Sequence, residues 1–399
     1  MKCKICLEDY NLINKIPIIL VQCGHTFCHS CILQFKFYTC AMCRTTITGL
    51  QKNFEIMDYV HDKKTKAEKT DRINGELYFY ERQFEKALMY FEIIIKKNKY
   101  DLDAHYGCGS ALYFLKKYTQ SVAAFDKVLE INNQYSTAYL SKAIVFNKMN
   151  QFGNSLTALD NAIKISPNFD YAYFYKGETL LEHLRFYNTA ILYFDQAIIL
   201  NNNNLNYLEK KSKCLSLLKK YDLAINYYDQ LIRNKPYESS FYLKRGLVLC
   251  EMSKFSEAVE NFDVVNLLNP IQINAYVFKS DSFDKLKKFK KSIECINKAI
   301  ALKPNEPCFF IKKGFLQIKI KKYADALYNF NLALNLEESN LSANVYKAKA
   351  LRYLCKYKEA IISFEKSLAI AKETKFRSIK FIQSNIDGLN KILNLRNKK

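Results

Sequence analysis

The chain has 399 residues, about half of them apolar (49%), with a formal net charge of +22. It is too long for one compact core, so at least two parts are expected. Ten glycines and six prolines indicate a helix-rich chain with little disorder.

No run approaches the roughly 18 apolar residues of a membrane span, and the Met1-Lys2-Cys3 start has no secretory apolar core. The positive excess raises nucleic acid as a partner, but the lysines are spread along expected helix faces with no nucleic-acid motif beside them. A solvated lysine surface favouring acidic partners is the expectation, and nucleic-acid binding is not.

The first element is a metal module. Seven of the 13 cysteines fall in the first 43 residues, where Cys3, Cys6, Cys23, His25, Cys28, Cys31, Cys40 and Cys43 make three Cys-x-x-Cys pairs and one Cys-x-His pair. Eight such ligands fill two closed tetrahedral sites, and thiolate with imidazole suits Zn²⁺. Two structural zinc ions are expected, with no open position for catalysis. A segment of about 45 residues has too little apolar material to fold alone, so metal binding, worth roughly 10–16 kcal/mol per structural zinc, would hold it together. Spacing alone leaves open whether the ligand pairs are used sequentially or alternately. Cysteines used in this way imply a reducing compartment, cytoplasm or nucleus.

The order of these ligands, with Cys23-Gly24-His25-Thr26-Phe27-Cys28 at its centre, resembles the C3HC4 RING finger over residues 3–44. The resemblance implies an interleaved arrangement, with Cys3, Cys6, Cys28 and Cys31 on one zinc and Cys23, His25, Cys40 and Cys43 on the other. It also implies an E3 ubiquitin ligase without a nucleophile of its own, which binds a ubiquitin-charged E2 and works by positioning. By the same resemblance Ile5 and Phe35 would form the apolar E2 contact, and Arg44 would be the linchpin bridging E2 and ubiquitin. Ala41 departs from the family pattern, in which many E2-binding members carry proline. That departure supports the alternative of a non-catalytic scaffold. His29 is a spare donor that the pattern does not need.

Residues 1–46 are thus read as the zinc module and 47–67 as a lysine-rich connector. From 68 to 372 the chain repeats every 34 residues, with one interval of 35. Ala87, Ser121, Ser155, Ala190, Ala224, Ala258, Ser292, Ala326 and Ala360 share one phase. Each is followed four residues on by a bulky residue, from Phe91 to Phe364. A second small position runs from Gly75 and Gly109 through Ala143 and Gly177 to Ala348. Small sites facing bulky ones let paired helices approach closely. Pro167, Pro236, Pro270 and Pro304 share a phase where a second helix must stop. The expected fold is mainly α, a helix-turn-helix solenoid of about nine units. Ile379, Ile382, Ile386, Leu389 and Leu393 follow helical spacing, so 373–399 reads as a capping helix and basic tail.

Spacing and residue types resemble the tetratricopeptide repeat (TPR), with Tyr139, Tyr173, Tyr242, Tyr276 and Phe310 at its first aromatic position. The resemblance implies a peptide-binding surface built mainly from first helices. At the positions where chaperone-binding members begin a carboxylate clamp this chain has Arg72 and Glu76, and the glutamate argues against that ligand. Carrying the groove positions along gives an aromatic stretch, Tyr106, Tyr113, Phe114, Tyr171, Phe174 and Tyr175. A basic stretch follows, Lys210, Lys213, Lys244, Lys312, Lys349 and Arg352. A protein or peptide client with apolar and acidic parts is expected there. Cys108, Cys214, Cys250, Cys295, Cys308 and Cys355 read as small apolar fillers.

Overall fold

The computed structural model describes the backbone of residues 17–20, 26–28, 50–52, 66–373 and 379–396, and side chains over 71–372 and 379–394. Three short strands come first: β1 Pro17–Leu20, β2 Thr26–Cys28 and β3 Leu50–Lys52. β1 lies in the middle, antiparallel to both, with Ile19 opposite Thr26 on one side and Gln51 on the other. β3 lies past residue 46, so the sheet takes a strand from the stretch read as connector.

The remaining described chain is helical and divides into two compact units, Met1–Leu218 and Lys219–Lys399. In the first, α1 Lys66–Tyr80, α2 Phe84–Lys97, α3 Leu102–Phe114, α4 Tyr118–Ile131, α5 Ser136–Lys148, α6 Phe152–Ile165, α7 Asp170–Thr179 and α8 Tyr187–Leu200 form four helical hairpins, and α9 Leu205–Leu217 comes next. The second begins with α10 Tyr221–Asn234. Four hairpins then come from α11 Ser239–Glu251, α12 Phe255–Leu268, α13 Ile273–Lys285, α14 Phe289–Leu302, α15 Pro307–Lys319, α16 Tyr323–Leu336, α17 Leu341–Tyr353 and α18 Tyr357–Glu373. The last helix is α19, Ile379–Arg396. The architecture is the expected TPR-like α-solenoid preceded by a small module.

Inside a hairpin the two small-residue phases do what their spacing implies. A Cβ placed on Gly109 of α3 would lie 2.7 Å from the Phe125 ring of α4, and on Gly314 of α15 it would lie 2.6 Å from Phe330 of α16. Where the small residue is Ala143, the facing residue is the smaller Leu159, and both are fully buried. Serines in the other small phase tie the hairpin further. Ser121 Oγ donates to the Gly109 carbonyl at 2.6 Å, and Ser292 Oγ to that of Ser280 at 2.8 Å.

The turn after each odd-numbered helix holds a left-handed residue, and none is glycine: Arg82, Lys116, Asn150, Arg185, Lys219, Ser253, Lys287, Lys321 and Cys355 have φ of 57–62°. The next amide reaches back five residues, as in Lys117 N–H to Leu112 O at 2.9 Å and Lys356 N–H to Leu351 O at 3.0 Å. These bonds satisfy carbonyls that the helix end would otherwise orphan.

One turn is different. Leu180–Leu184 continues α7 as a turn of π-helix, and the closing bond runs from Phe186 N–H to Leu180 O at 2.9 Å, six residues back. The extra residue of the 35-residue interval sits there. Widening one turn absorbs it without rotating α8, so Ala190 and Phe194 stay in the core.

Between hairpins, an acid on one second helix meets a base on the next first helix. The pairs are Asp126–Lys142 at 2.5 Å, Asp160–Lys176, Asp195–Lys211 at 2.6 Å, Asp229–Arg245 at 2.9 Å and Asp263–Lys279. Part of the lysine excess read as a solvated surface is therefore spent on stacking. The repeat tyrosines and prolines also meet, with the Tyr242 hydroxyl donating to Pro236 O at 3.1 Å and that of Tyr276 to Pro270 O at 3.2 Å.

Candidate functional site

Of the eight metal donors, Cys28 ends β2 with its backbone opposite Pro17. Cys3, Cys6, Cys23, His25, Cys31, Cys40 and Cys43 lie outside the described residues, as do Ile5, Phe35 and Arg44. Residues 21–25, which include Cys23 and His25, connect the antiparallel strands β1 and β2.

The donor set fits zinc by its chemistry, seven thiols and one imidazole at chelating spacing. Among the described residues no group of three or more His, Cys, Asp or Glu is placed to hold a metal. Burial pushes the Cys108 and Cys214 thiols up to about 12 and that of Cys295 to about 11, which keeps them protonated and inert.

The residues expected to line a groove divide by environment. In the first unit Phe174 is 9% exposed and belongs to the core around Phe194 and Tyr207, so it offers little surface. Tyr106 is half-buried and shares a 2.8 Å hydrogen bond with Ser141. Tyr113, Tyr171 and Tyr175 are half-buried, while Phe114 is exposed and stacks on Phe84 with ring centres 4.6 Å apart.

Three of the six residues of the expected basic stretch are paired with acids. Lys210 Nζ lies 2.6 Å from Glu178 and 3.1 Å from Glu182, and Lys213 lies 2.8 Å from Glu182. Burial alone would raise the Glu182 carboxyl, but hydrogen bonds from Lys213 and Lys210 outweigh it and hold the group below its ordinary value. In the second unit Lys312 pairs with Asp281. Lys244 is half-buried. Lys349 and Arg352 face aromatic rings and an amide instead of carboxylates. Arg72 is bonded to Asp101 and Asp103, and Glu76 is buried, so the clamp positions are committed to the fold.

The sequence reading did not name Glu178, Glu182 and Asp281, the acids that answer its lysines. Each lies on the preceding first helix or its extension, 28 to 32 residues upstream, so only the stacking of repeats brings it near.

Residues 3–45, a span holding all eight donors and Arg44, match the RING-type zinc-finger family. Residues 74–136 and 273–306 match tetratricopeptide repeat families. The chain carries a RING-type zinc finger and tetratricopeptide repeats. The RING-type module implies zinc binding, and both domain types point to protein partners. E3 ubiquitin-protein ligase KEG of Arabidopsis thaliana is 31% identical over 71 residues, which is 15% of this chain and 4% of that protein. Two TPR structures are similar to the repeat region. The C-terminal part of a TPR repeat-containing protein from Cytophaga hutchinsonii has a TM-score of 0.52 at 14% identity, covering 59% of this chain and 96% of that one. A tetratricopeptide repeat protein from Parabacteroides merdae has a TM-score of 0.46 at 16% identity, covering 64% and 98%. At these identities the former shows the TPR fold alone. Among the described residues no helix is long and apolar enough to cross a membrane.

Proposed function

We propose that the protein is a RING-type E3 ubiquitin ligase of a reducing compartment, in which the zinc module positions a ubiquitin-charged E2 and the TPR array binds the substrate. The observation that carries this reading is the eight-donor pattern within residues 3–45, supported by Ile5, Phe35 and Arg44 at positions where the RING resemblance implies contact with an E2. Two zinc ions, held by Cys3, Cys6, Cys28 and Cys31 and by Cys23, His25, Cys40 and Cys43, would supply structure and no reacting group. Ile5 and Phe35 would hold the E2 by apolar contact. Arg44, with its planar fork of donors, would bond carbonyls of E2 and ubiquitin together and keep the thioester oriented for attack by a substrate lysine.

Ubiquitin-chain formation with a panel of E2 enzymes tests this reading. Wild type is expected to be active with at least one E2, and Ile5→Ala and Arg44→Ala to lose roughly tenfold or more in rate, about 1.4 kcal/mol of positioning. Zinc-loaded wild type without activity toward any E2 would overturn it. The outcome would then favour a TPR scaffold whose zinc module only mediates contacts, the reading that Ala41 supports.

A further inference from the structure

The charge balance of the first-helix surface changes along the second unit. On α15, Lys312 is answered by Asp281 of α13, and Lys319 by both oxygens of Asp284 at 2.6 and 2.8 Å. On α17, Lys349 and Arg352 stand one turn apart, and neither pairs with a carboxylate among the described residues. The Lys349 ammonium lies 5.0 Å from the centre of the Tyr346 ring and 5.1 Å from that of Phe381 on α19. Arg352 donates to Asn385 Oδ1 of α19 at 3.2 Å, and its remaining donors find no acceptor among the described residues. Burial and the neighbouring Arg352 charge hold Lys349 below its ordinary value. Two like charges are thus held together beside aromatic rings, with no carboxylate among the described residues to offset them.

We propose that this corner of α17 and α19 docks an acidic peptide segment of a partner protein, one carboxylate bridging Lys349 and Arg352 while a neighbouring apolar side chain lies on Tyr346 and Phe381. Charge complementarity selects an acid, and a bridging carboxylate makes charge-assisted hydrogen bonds that relieve the repulsion. The surroundings select a peptide over a nucleic acid. A polyanionic backbone needs a track of cations, but Lys312 and Lys319 of α15 are already paired with Asp281 and Asp284. The ring wall extends to Phe315, whose centre lies 5.4 Å from that of Tyr346.

This inference rests on the proposed client-binding role of the repeats and is independent of ubiquitin transfer. The test uses the full chain and a short fluorescein-labelled peptide of glutamates interspersed with leucine and glycine, monitored by anisotropy without E2 or ubiquitin. Wild type is expected to bind it, and the same peptide with glutamine for glutamate to bind roughly tenfold more weakly. Lys349→Ala with Arg352→Ala should cost about tenfold, and Phe381→Ala a smaller factor. The charge-matched control Lys358→Ala with Lys366→Ala on α18 should change binding less than about twofold. An absence of binding to wild type, equal binding of the glutamine peptide, or unchanged affinity in a double variant whose melting matches wild type would overturn the proposal. So would displacement of the peptide by a single-stranded oligonucleotide of equal charge. Failure of the ligase reading would be seen separately, in chain formation.

Discussion

Gly109 meets Phe125 so closely that a Cβ on the glycine would lie 2.7 Å from the ring, and Phe125 is only 1% exposed. Two effects of Gly109→Ala oppose each other. Alanine in a helix interior gains about 0.8–1.0 kcal/mol over glycine, while overpacking a tight core costs about 1–3 kcal/mol. The ring has no free side to yield toward, so a net loss of about 1–2 kcal/mol is expected in urea unfolding. Adding Phe125→Leu should restore most of it by copying the Ala143 and Leu159 pair. The last repeat already combines Ala348 with Phe364, so the loss is a matter of helix spacing and is not prohibitive.

The left-handed turn residues lead to the opposite sign. Lys287 has φ of 58°, and the next amide closes on Phe283 O at 2.8 Å. A side chain in this conformation costs roughly 1–2 kcal/mol, and the extra unfolded-state freedom of glycine returns about 0.5–1 of that. Lys287→Gly is therefore expected to stabilise by up to about 1 kcal/mol, read as a raised urea midpoint with an unchanged slope. A lowered midpoint would contradict this account of the turn.

The hairpin core was legible in the sequence because a repeat restates its packing every 34 residues, and that spacing alone puts Gly109 and Phe125 in register. Features that join one hairpin to the next were not. The first residue of every second helix is aromatic, from Phe84 and Tyr118 to Tyr357, and for Phe84, Phe152 and Tyr323 a stacking partner is on the next repeat. Phe152 stacks on His183 at 4.4 Å and Tyr323 on Tyr353 at 4.7 Å. The Asp160–Lys176 rung was hidden for the same reason. At the candidate groove, adjacent residues on a helix point about 100° apart, so Phe174 turns into the core while Tyr175 beside it stays half-exposed. The zinc donors, by contrast, could be proposed without any stacking, since a chelating pair is local in sequence.

Those donors carry a prediction about metal. The protein is expected to release two zinc ions per chain to a chelator when its thiols are modified, measured by a colorimetric indicator. Circular dichroism should retain most of its helical signal, because the eight donors all precede the helices and no group of metal-binding side chains is found among the described residues of the helices. Collapse of the helical signal on zinc removal would mean that the repeats depend on the metal.

The Glu182 cluster makes stability depend on pH in the acid range. Its carboxyl sits below the ordinary value through the bonds from Lys213 and Lys210. Between the two values the unfolded chain takes up a proton that the folded chain refuses, so the contribution is complete at neutral pH and is lost as pH falls through the lowered value. Lys210→Met with Lys213→Met should remove it, flattening the fall in melting temperature as pH drops below the ordinary carboxylate range. An acid limb as steep as that of wild type would show that the pairs are too solvated to matter.

The π turn in α7 offers the sharpest test of how the array keeps phase. Each residue removed from an α-helix rotates the downstream part of that helix by about 100°, which in a repeat would swing a core row to the surface. Leu180–Leu184 already holds one residue more than the other turns need, so deleting His183 would return the interval to 34 residues and let the turn close as α-helix. The deletion loses the His183 stack on Phe152 and leaves Ala190 and Phe194 in place. A melting shift of a few degrees is expected, corresponding to roughly 1 kcal/mol. Deleting Lys142 from α5 should be far worse, because it rotates Ala143 away from Leu159 with no spare residue to take up the slack. If both deletions unfold the protein alike, the extra residue is not held in the π turn in the way the Phe186 to Leu180 bond indicates.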